Sequence, residues 1–218
     1  MEIQTTNTYE DYVTTLTTDA IDVDKLEASC LRLYRYIVDE FTGTPGRDYD
    51  GESTLTTALY TRYNLLMYPD EEIHNLYTFI CKAFRQASGL TEPHWIQCWL
   101  NVYKRGNFID WHTHWPAEVK SWHGYYGVYV DDSVTTYRVP KQDVDYKQID
   151  VENINGQVIM SPSNDDEHRT WPWLKHRPRI TVAFDIVPEE KLLQQAPWHN
   201  NETPGGDAAW NNHWLPVR

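Results

Sequence analysis

The stretch NVYKRGNFIDWHTHWP, residues 101–116, contains the residues on which the fold assignment depends. It follows the apolar and aromatic run WIQCWL and contains two histidines, His112 and His114, that one residue separates. Residues i and i+2 of a strand point to the same side, with Cα atoms about 6–7 Å apart. Two such imidazoles can converge on one metal ion through bonds of about 2.1 Å. The spacing therefore indicates a candidate metal site beside a strand.

Residues on either side of this pair extend the candidate site. His168 is the best candidate for a third ligand, and three protein ligands on one face leave open positions for substrate and oxygen. Arg179 follows His168 by eleven residues, so a turn and a returning strand bring its guanidinium near the same metal. Arginine grips a carboxylate with two hydrogen bonds, and Thr181 shares its face and adds a hydroxyl donor. Asn101 and Tyr103 share another face just upstream of the histidine pair.

Short runs rich in β-branched and aromatic residues surround these candidates and predict a β-rich half after Pro93. Clusters of Gly, Pro, Asn and Asp separate them. The runs are WIQCWLNVY (95–103), VYV (128–130), VTTYRV (134–139), QVIM (157–160) and RITVAFDIV (179–187).

Two amphipathic helices precede this half. Apolar residues recur at three- and four-residue steps from Asp22 to Phe41, and again in a second helix from about Asp70 to Ser88 that Gly89 ends. Their apolar stripes are typical of core packing. Residues 1–20 are polar and rich in Thr, and no structure is predicted there; the Gly- and Pro-containing segment 42–52 is predicted to be a loop.

The 218 residues suit one domain with a sizeable core. We divide it into a helical support region (1–92), a β core (93–188) and a Trp-rich tail (189–218), which either wraps over the core or is mobile. The tail contains Trp198, Trp210 and Trp214.

The net charge of −13 argues against a protein held mainly by nucleic-acid phosphates. A local basic stretch, which suits an anionic ligand, consists of Arg169, Lys175, Arg177 and Arg179. Three cysteines without paired spacing indicate reduced thiols in a cytoplasm. The polar, acidic N-terminus is not a signal peptide, and no apolar run is long enough to span a membrane.

Together these features resemble the 2-oxoglutarate- and Fe(II)-dependent oxygenase superfamily. The nearest resemblance is to a subfamily common in bacteria and phages, with a G-(x)5-H-x-H-P-like segment, then S-G-x-Y-Y, then P-S and a later His and Arg. This chain has the matching residues between about Trp95 and Val187. They are Gly106, His112, His114, Pro116, HGYYGVYV (123–130), Gly156, Ser161-Pro162-Ser163, His168 and RITVAFDIV (179–187).

The resemblance implies a mainly β fold with N-terminal helices, in which a double-stranded β-helix (jelly-roll or cupin-like) core is supported by the helices. It implies Fe(II) bound by His112 and His168, and 2-oxoglutarate and O2 as cosubstrates. The arginine that pairs with the far carboxylate of 2-oxoglutarate corresponds to Arg179, with Thr181 as its hydroxyl neighbour. The Asn-x-Tyr pair at 101–103 corresponds to one that helps to hold the cosubstrate in some branches.

One residue departs from the superfamily pattern, because most members carry Asp or Glu where His114 stands. A neutral imidazole does not neutralise an iron charge as a carboxylate does, although a three-histidine iron site is chemically feasible. We therefore interpret His114 as the third ligand. The alternatives are an oxygen ligand from Asp110 or Glu118, or water.

The predicted reaction is hydroxylation of a protein side chain or a small molecule, with release of succinate and CO2. The aromatic residues Trp111, Trp115, Trp122, Tyr125 and Tyr126 either stack on a planar substrate or belong to the core.

Three other functions remain open. A cupin-type metal dioxygenase would not need 2-oxoglutarate, but this function does not explain the positions of Arg179 and Thr181. A catalytically degenerate binding or scaffold protein would bind no iron. A zinc hydrolase is the weakest alternative, because no general base stands at a fixed motif spacing.

Overall fold

The computed structural model describes residues 1–41, 64–141, 145–195 and 214–218. The described α-helices are α1 (Val23–Phe41), α2 (Glu71–Ser88) and α3 (Glu189–Gln195). The described strands are β1 (Gln4–Tyr9), β2 (Val13–Thr17), β3 (His94–Tyr103), β4 (Trp122–Tyr129), β5 (Val134–Val139), β6 (Lys147–Glu152), β7 (Gln157–Pro162), β8 (Glu167–Thr170), β9 (Arg179–Pro188) and β10 (Leu215–Pro216). The predicted loop at 42–52 lies outside the described residues.

The strands form two antiparallel sheets. The major sheet has seven strands in the order β1-β2-β7-β4-β9-β3-β10, and the minor sheet has three in the order β6-β5-β8. An isolated antiparallel bridge between His112 and His168 adds the chain before β4 to the free edge of β8. The mainly β architecture with N-terminal helices, predicted from the sequence, is confirmed.

Helices α1 and α2 cover one face of the major sheet. The Asp70 side chain caps α2 by accepting hydrogen bonds from the backbone of Glu72 and Ile73, and Gly89 ends the helix with a φ of 67°. The buried stripe of α2 packs against residues of β9 such as Phe184, in one core. Each such buried side chain contributes about 1.5–3 kcal/mol relative to leaving it exposed.

A second apolar cluster lies between the sheets. Tyr125, Ile159 and Ala183 of the major sheet contact Tyr137 and Val151 of the minor sheet. The two sheets therefore enclose an interior that is separate from the helix-facing core.

Gly124 allows β4 and β7 to approach each other closely. A Cβ atom at this position would lie 2.3 Å from the carbonyl oxygen of Ile159 and 2.7 Å from Cζ of Phe184. Both distances are too short for any side chain, so this position in the middle of the major sheet requires glycine.

The sequence did not predict the strands at the N-terminus. β1 and β2 form a hairpin through Glu10 and Asp11, which both have a φ of 53°, and β2 pairs with β7. This hairpin lies within residues 1–92, the region predicted to be helical support. Its Thr-rich strands contain few apolar residues, but threonine is β-branched and suits a strand. Strands β6 and β8 were also not predicted.

Part of the C-terminal tail docks against the major sheet. Leu215 and Pro216 pair with β3, and Trp214 is buried beside Val119 and Val187. Trp198 and Trp210 lie outside the described residues. No described helix is both long enough and apolar enough to cross a membrane.

Candidate metal centre

Strand β9 alternates between the two interiors of the protein. Ile180, Val182, Phe184 and Ile186 belong to the core that the helices cover. The intervening residues, which include Arg179 and Thr181, therefore face the interior between the sheets. Strand β3 pairs with β9 so that Tyr103 lies opposite Arg179 and Asn101 opposite Thr181. The structure thus brings the four predicted cosubstrate residues together on two adjacent strands.

The three predicted histidine ligands also come together. The backbones of His112 and His168 exchange two hydrogen bonds of 3.1 Å, and their ring centroids lie 4.2 Å apart. The His114 ring lies 5.5 Å from that of His112 and 5.1 Å from that of His168. One possible ligand atom from each of the three lies within 4.8 Å of the other two.

Hydrogen bonds orient two of these imidazoles. His112 Nδ1 donates to the carbonyl oxygen of Asp110 at 2.8 Å, and His114 Nδ1 donates to Asp185 Oδ1 at 2.6 Å. In this tautomer Nε2 of both rings carries the lone pair. His168 Nδ1 is buried and has no hydrogen-bond partner among the described residues. A metal ion would use Nε2 of His112 and of His114 together with the buried Nδ1 of His168.

Burial and mutual repulsion keep two of the rings neutral. Burial, together with neighbouring His114, lowers the pKa of His112 to about 4. Burial and three neighbouring histidines hold the pKa of His168 well below its usual range. Burial also acts to lower the pKa of His114, but the Asp185 carboxylate outweighs it and raises the pKa. At neutral pH the rings of His112 and His168 therefore offer lone pairs.

The sequence did not point to a second, fully buried group of possible ligands, formed by His123, Asp166 and His168. His123 Nε2 donates to Asp166 Oδ2 at 2.9 Å, and Ser161 Oγ lies 3.1 Å from the same nitrogen. Burial acts to raise the pKa of Asp166, but His123 outweighs it and lowers the pKa. The two groups share His168.

The carboxylates that the sequence offered as alternatives to His114 lie elsewhere. Asp110 and Glu118 are exposed, and neither belongs to a possible metal group among the described residues. Asp185, which the sequence analysis did not single out, is the carboxylate that contacts the His-x-His pair. Its only signal in the sequence is the two-residue period that places it on the same face of β9 as Arg179 and Thr181.

Arg179 is buried without a charge partner. Its side chain is 4% exposed and forms no salt bridge within the described residues. Its Nε donates to Ser133 Oγ at 3.4 Å, and its Cζ lies 5.6 Å from the ring centroid of Tyr103 and 5.8 Å from that of Tyr125. Burial lowers the pKa of the guanidinium. A buried cation of this kind is a receptor for an anionic group.

The remaining members of the basic stretch do not form a shared surface with Arg179. Lys175 pairs with Asp131 and Asp132, Arg177 pairs with Glu27, and the Arg169 guanidinium lies between two tryptophan rings, Trp111 and Trp171.

The aromatic residues near the motif have different environments. Tyr126 and Trp122 belong to the helix-facing side, where Trp122 meets Phe84 edge to face. Tyr125 faces the interior between the sheets. Trp115 donates from Nε1 to Asp185 Oδ2 at 3.1 Å. These aromatic residues therefore do not form one stacking surface.

No family model matches this sequence, and no curated protein matches it significantly. Solved structures do share its fold. SnoN, described as a non-heme alpha ketoglutarate dependent epimerase from nogalamycin biosynthesis, is 10% identical, with a TM-score of 0.56 over 82% of this chain and 77% of its own. A second SnoN structure, at a TM-score of 0.55, 12% identity and coverage of 82% and 79%, contains Fe3+, alpha ketoglutarate and nogalamycin RO.

A Pseudomonas putida prolyl-4-hydroxylase is 14% identical, with a TM-score of 0.52 over 81% of this chain and 92% of its own. Identities this low establish a shared fold and nothing finer. The double-stranded β-helix expected from the sequence is confirmed.

Proposed function

We propose that this protein is an Fe(II)- and 2-oxoglutarate-dependent oxygenase that hydroxylates a protein side chain or a small molecule in the cytoplasm. One observation carries the proposal. A group of three histidines with possible ligand atoms within 4.8 Å lies in the same fold as a buried arginine that forms no salt bridge among the described residues and faces the interior between the sheets. The first element suits a metal with open positions, and the second suits the far carboxylate of a dicarboxylic acid.

The residues that would hold the iron are His112, His114 and His168. The described hydrogen bonds of His112 and His114 use Nδ1 and leave Nε2 for a metal, while the buried His168 Nδ1 has no hydrogen-bond partner in the part of the chain that the structure describes. In the alternative group, His123 Nε2 and Asp166 Oδ2 are already hydrogen-bonded to each other. The donor set of the first group therefore fits the metal better.

The residues that would hold 2-oxoglutarate are Arg179 and Thr181 at its 5-carboxylate, with Asn101 and Tyr103 beside them. Bidentate pairing with Arg179 would compensate the buried guanidinium, which has no anion of its own among the described residues. The iron and 2-oxoglutarate supply the oxidising chemistry, in which O2 is consumed, succinate and CO2 are released and a substrate C–H bond is hydroxylated.

The protein itself contributes position and exclusion of water. Tyr137 stacks on His168 at a centroid distance of 5.2 Å, and Trp99 stacks on His114 at 6.2 Å. These rings fix the imidazole planes and line the site with apolar surface. The fold shared with an epimerase and a prolyl hydroxylase is compatible with this function, and the substrate stays open between a protein side chain and a small molecule.

An anaerobic titration tests the proposal. The purified protein, given Fe(II) and then 2-oxoglutarate without oxygen, should develop the visible charge-transfer band of a 2-oxoglutarate–iron chelate. His112→Ala and His168→Ala should each abolish iron binding, whereas His74→Ala, at an exposed histidine of α2, should bind iron as the parent does.

The alternatives give different results. Iron binding without a 2-oxoglutarate band would favour a cupin-type dioxygenase. A protein that binds no iron would favour a scaffold role. Unchanged metal content in both the His112 and His168 variants would refute the ligand assignment.

A further inference from the structure

We propose that Asp185 acts through His114 as the anionic partner of the metal centre, in place of the carboxylate that the His-x-His motif lacks. This inference rests on the proposed function, since it takes His114 as an iron ligand. It concerns a positioning residue, because the carboxylate would contact the imidazole and not the metal.

Charge balance is the first reason. Three neutral imidazoles leave both charges of Fe(II) uncompensated in a largely buried site. Asp185 is the carboxylate in direct contact with the predicted ligands, with its Oδ1 2.6 Å from His114 Nδ1. Both side chains are largely buried, at 11% and 16% exposure for His114 and Asp185. Water therefore screens this charge only weakly.

Geometry is the second reason. Asp185 faces the interior from β9, and its two oxygens serve different donors: Oδ1 accepts from His114 and Oδ2 from Trp115 Nε1 at 3.1 Å. The His114 ring is also stacked on His123, with centroids 4.3 Å apart and planes 19° apart. The carboxylate and the imidazole it orients are thus both held in one arrangement.

The chemical consequence follows from that arrangement. A hydrogen bond from Nδ1 to a carboxylate fixes the tautomer and makes Nε2 a more basic metal ligand. Part of the carboxylate charge is therefore transmitted to the metal. The sequence has His in place of Asp or Glu at position 114, and β9 places an aspartate in hydrogen-bond contact with that histidine.

A matched pair of variants tests this role. In Asp185→Asn, the amide NH2 would meet the Trp115 N–H donor, so the change is best made in a Trp115→Phe background. Trp115→Phe and Trp115→Phe/Asp185→Asn should be compared by anaerobic Fe(II) competition with a chelator and by the midpoint potential of the iron. We expect the Asn substitution to weaken Fe(II) binding about 10- to 100-fold and to shift the potential to more positive values.

Glu72→Gln is the control, because it alters a buried carboxylate of α2 that is hydrogen-bonded to the backbone of Asp22 and to Asn75 and not to a histidine. It should leave Fe(II) affinity and potential close to those of the parent, whatever it does to stability. Circular dichroism and thermal melts identify the conditions under which all variants are folded, and the titrations are made there.

Several results would overturn the inference. Parent-like affinity and potential in Trp115→Phe/Asp185→Asn would do so. So would equal weakening in the Glu72 variant, which indicates a general effect of buried carboxylates. Weakening in an Asp166→Asn variant but not in the Asp185 variant would also overturn it, because that result assigns the metal to the second group. If the parent itself binds no iron, the proposed function fails with it, a result distinct from iron binding that is insensitive to Asp185.

Discussion

The two faces of strand β9 have the same backbone but differ in what their side chains do. One face places Val182 and Phe184 in an apolar core beneath the helices, where they pack against other apolar side chains. The other carries Arg179 and Asp185 into the interior between the sheets, where buried charges meet histidines and rings. The comparison indicates that the first face stabilises the fold, whereas the second buries charged side chains that lower stability but allow ligand binding.

The largest expected effect is on the apolar face. Phe184→Ala should reduce the free energy of unfolding by about 3–5 kcal/mol, because it leaves a cavity between Gly124 and the helices. Urea denaturation measures this loss. Below the unfolding transition, the folded protein should bind Fe(II) with parent-like affinity. A loss of iron affinity in the folded variant would show that the two faces are not independent.

The opposite result is expected on the inward face. Arg179→Leu should weaken 2-oxoglutarate binding about 100-fold or more, equivalent to ~3 kcal/mol, because it removes the two hydrogen bonds of a charged fork. The melting temperature should be unchanged or higher, since the variant loses a buried cation that has no ion partner within residues 1–41, 64–141, 145–195 and 214–218.

The Arg179→Lys variant serves as the control, because it keeps the charge but not the fork. It should bind 2-oxoglutarate with intermediate affinity. The assignment would be wrong if Arg179→Leu bound 2-oxoglutarate as the parent does, as judged by titration of the visible band.

The third effect concerns pH and the metal-free protein. The folded pKa values of His112, at about 4, and of His168 lie below the ordinary value of 6.5. Their contribution to stability is present above pH 6.5 and is lost as the pH falls. His114 opposes them, because its pKa is raised and its contribution is lost as the pH rises.

As the pH falls below 6.5, His114 approaches full protonation in both the folded and the unfolded protein, so its opposing effect fades and unfolding takes up protons mainly at His112 and His168. With chelator present, the free energy of unfolding should therefore fall between pH 6.5 and pH 5. Urea denaturation at each pH measures the slope. Phe184→Ala should give a parallel, lower curve, and His168→Asn a flatter one. A parent curve without slope over this range would contradict the prediction.

The sequence predicted more of the inward face than of its surroundings. The two-residue period of a strand is enough to place Arg179 and Thr181 on one side. His112 and His114 also lie close together, although they stand outside the strands and only His112 takes part in an isolated bridge. Both relations are local. Helices α1 and α2 were also predicted, because their stripes, the cap at Asp70 and Gly89 are local signals.

Relations between distant segments could not be predicted in this way. Asp185 lies 71 residues from His114 in the chain, and Asp166 lies 43 residues from His123. Neither pair has a motif, and only the return of β9 beside β4 and the turn before β8 bring them together. The hairpin of β1 and β2 was missed for another reason. β1 pairs with β2 and β2 with β7, and local composition does not reveal this pairing.

The smallest expected effect is that of removing a single hydroxyl from the inward face. Thr181 is buried opposite Asn101 on one side and Gly127 on the other. Thr181→Val, which removes one donor to the 2-oxoglutarate carboxylate, should weaken 2-oxoglutarate binding about fivefold, or ~1 kcal/mol. Thr181→Ser keeps the hydroxyl and should bind as the parent does. If the Val and Ser variants bound 2-oxoglutarate with equal affinity, Thr181 would contribute only to packing in β9. Arg179 would then bind the carboxylate without help from the Thr181 hydroxyl.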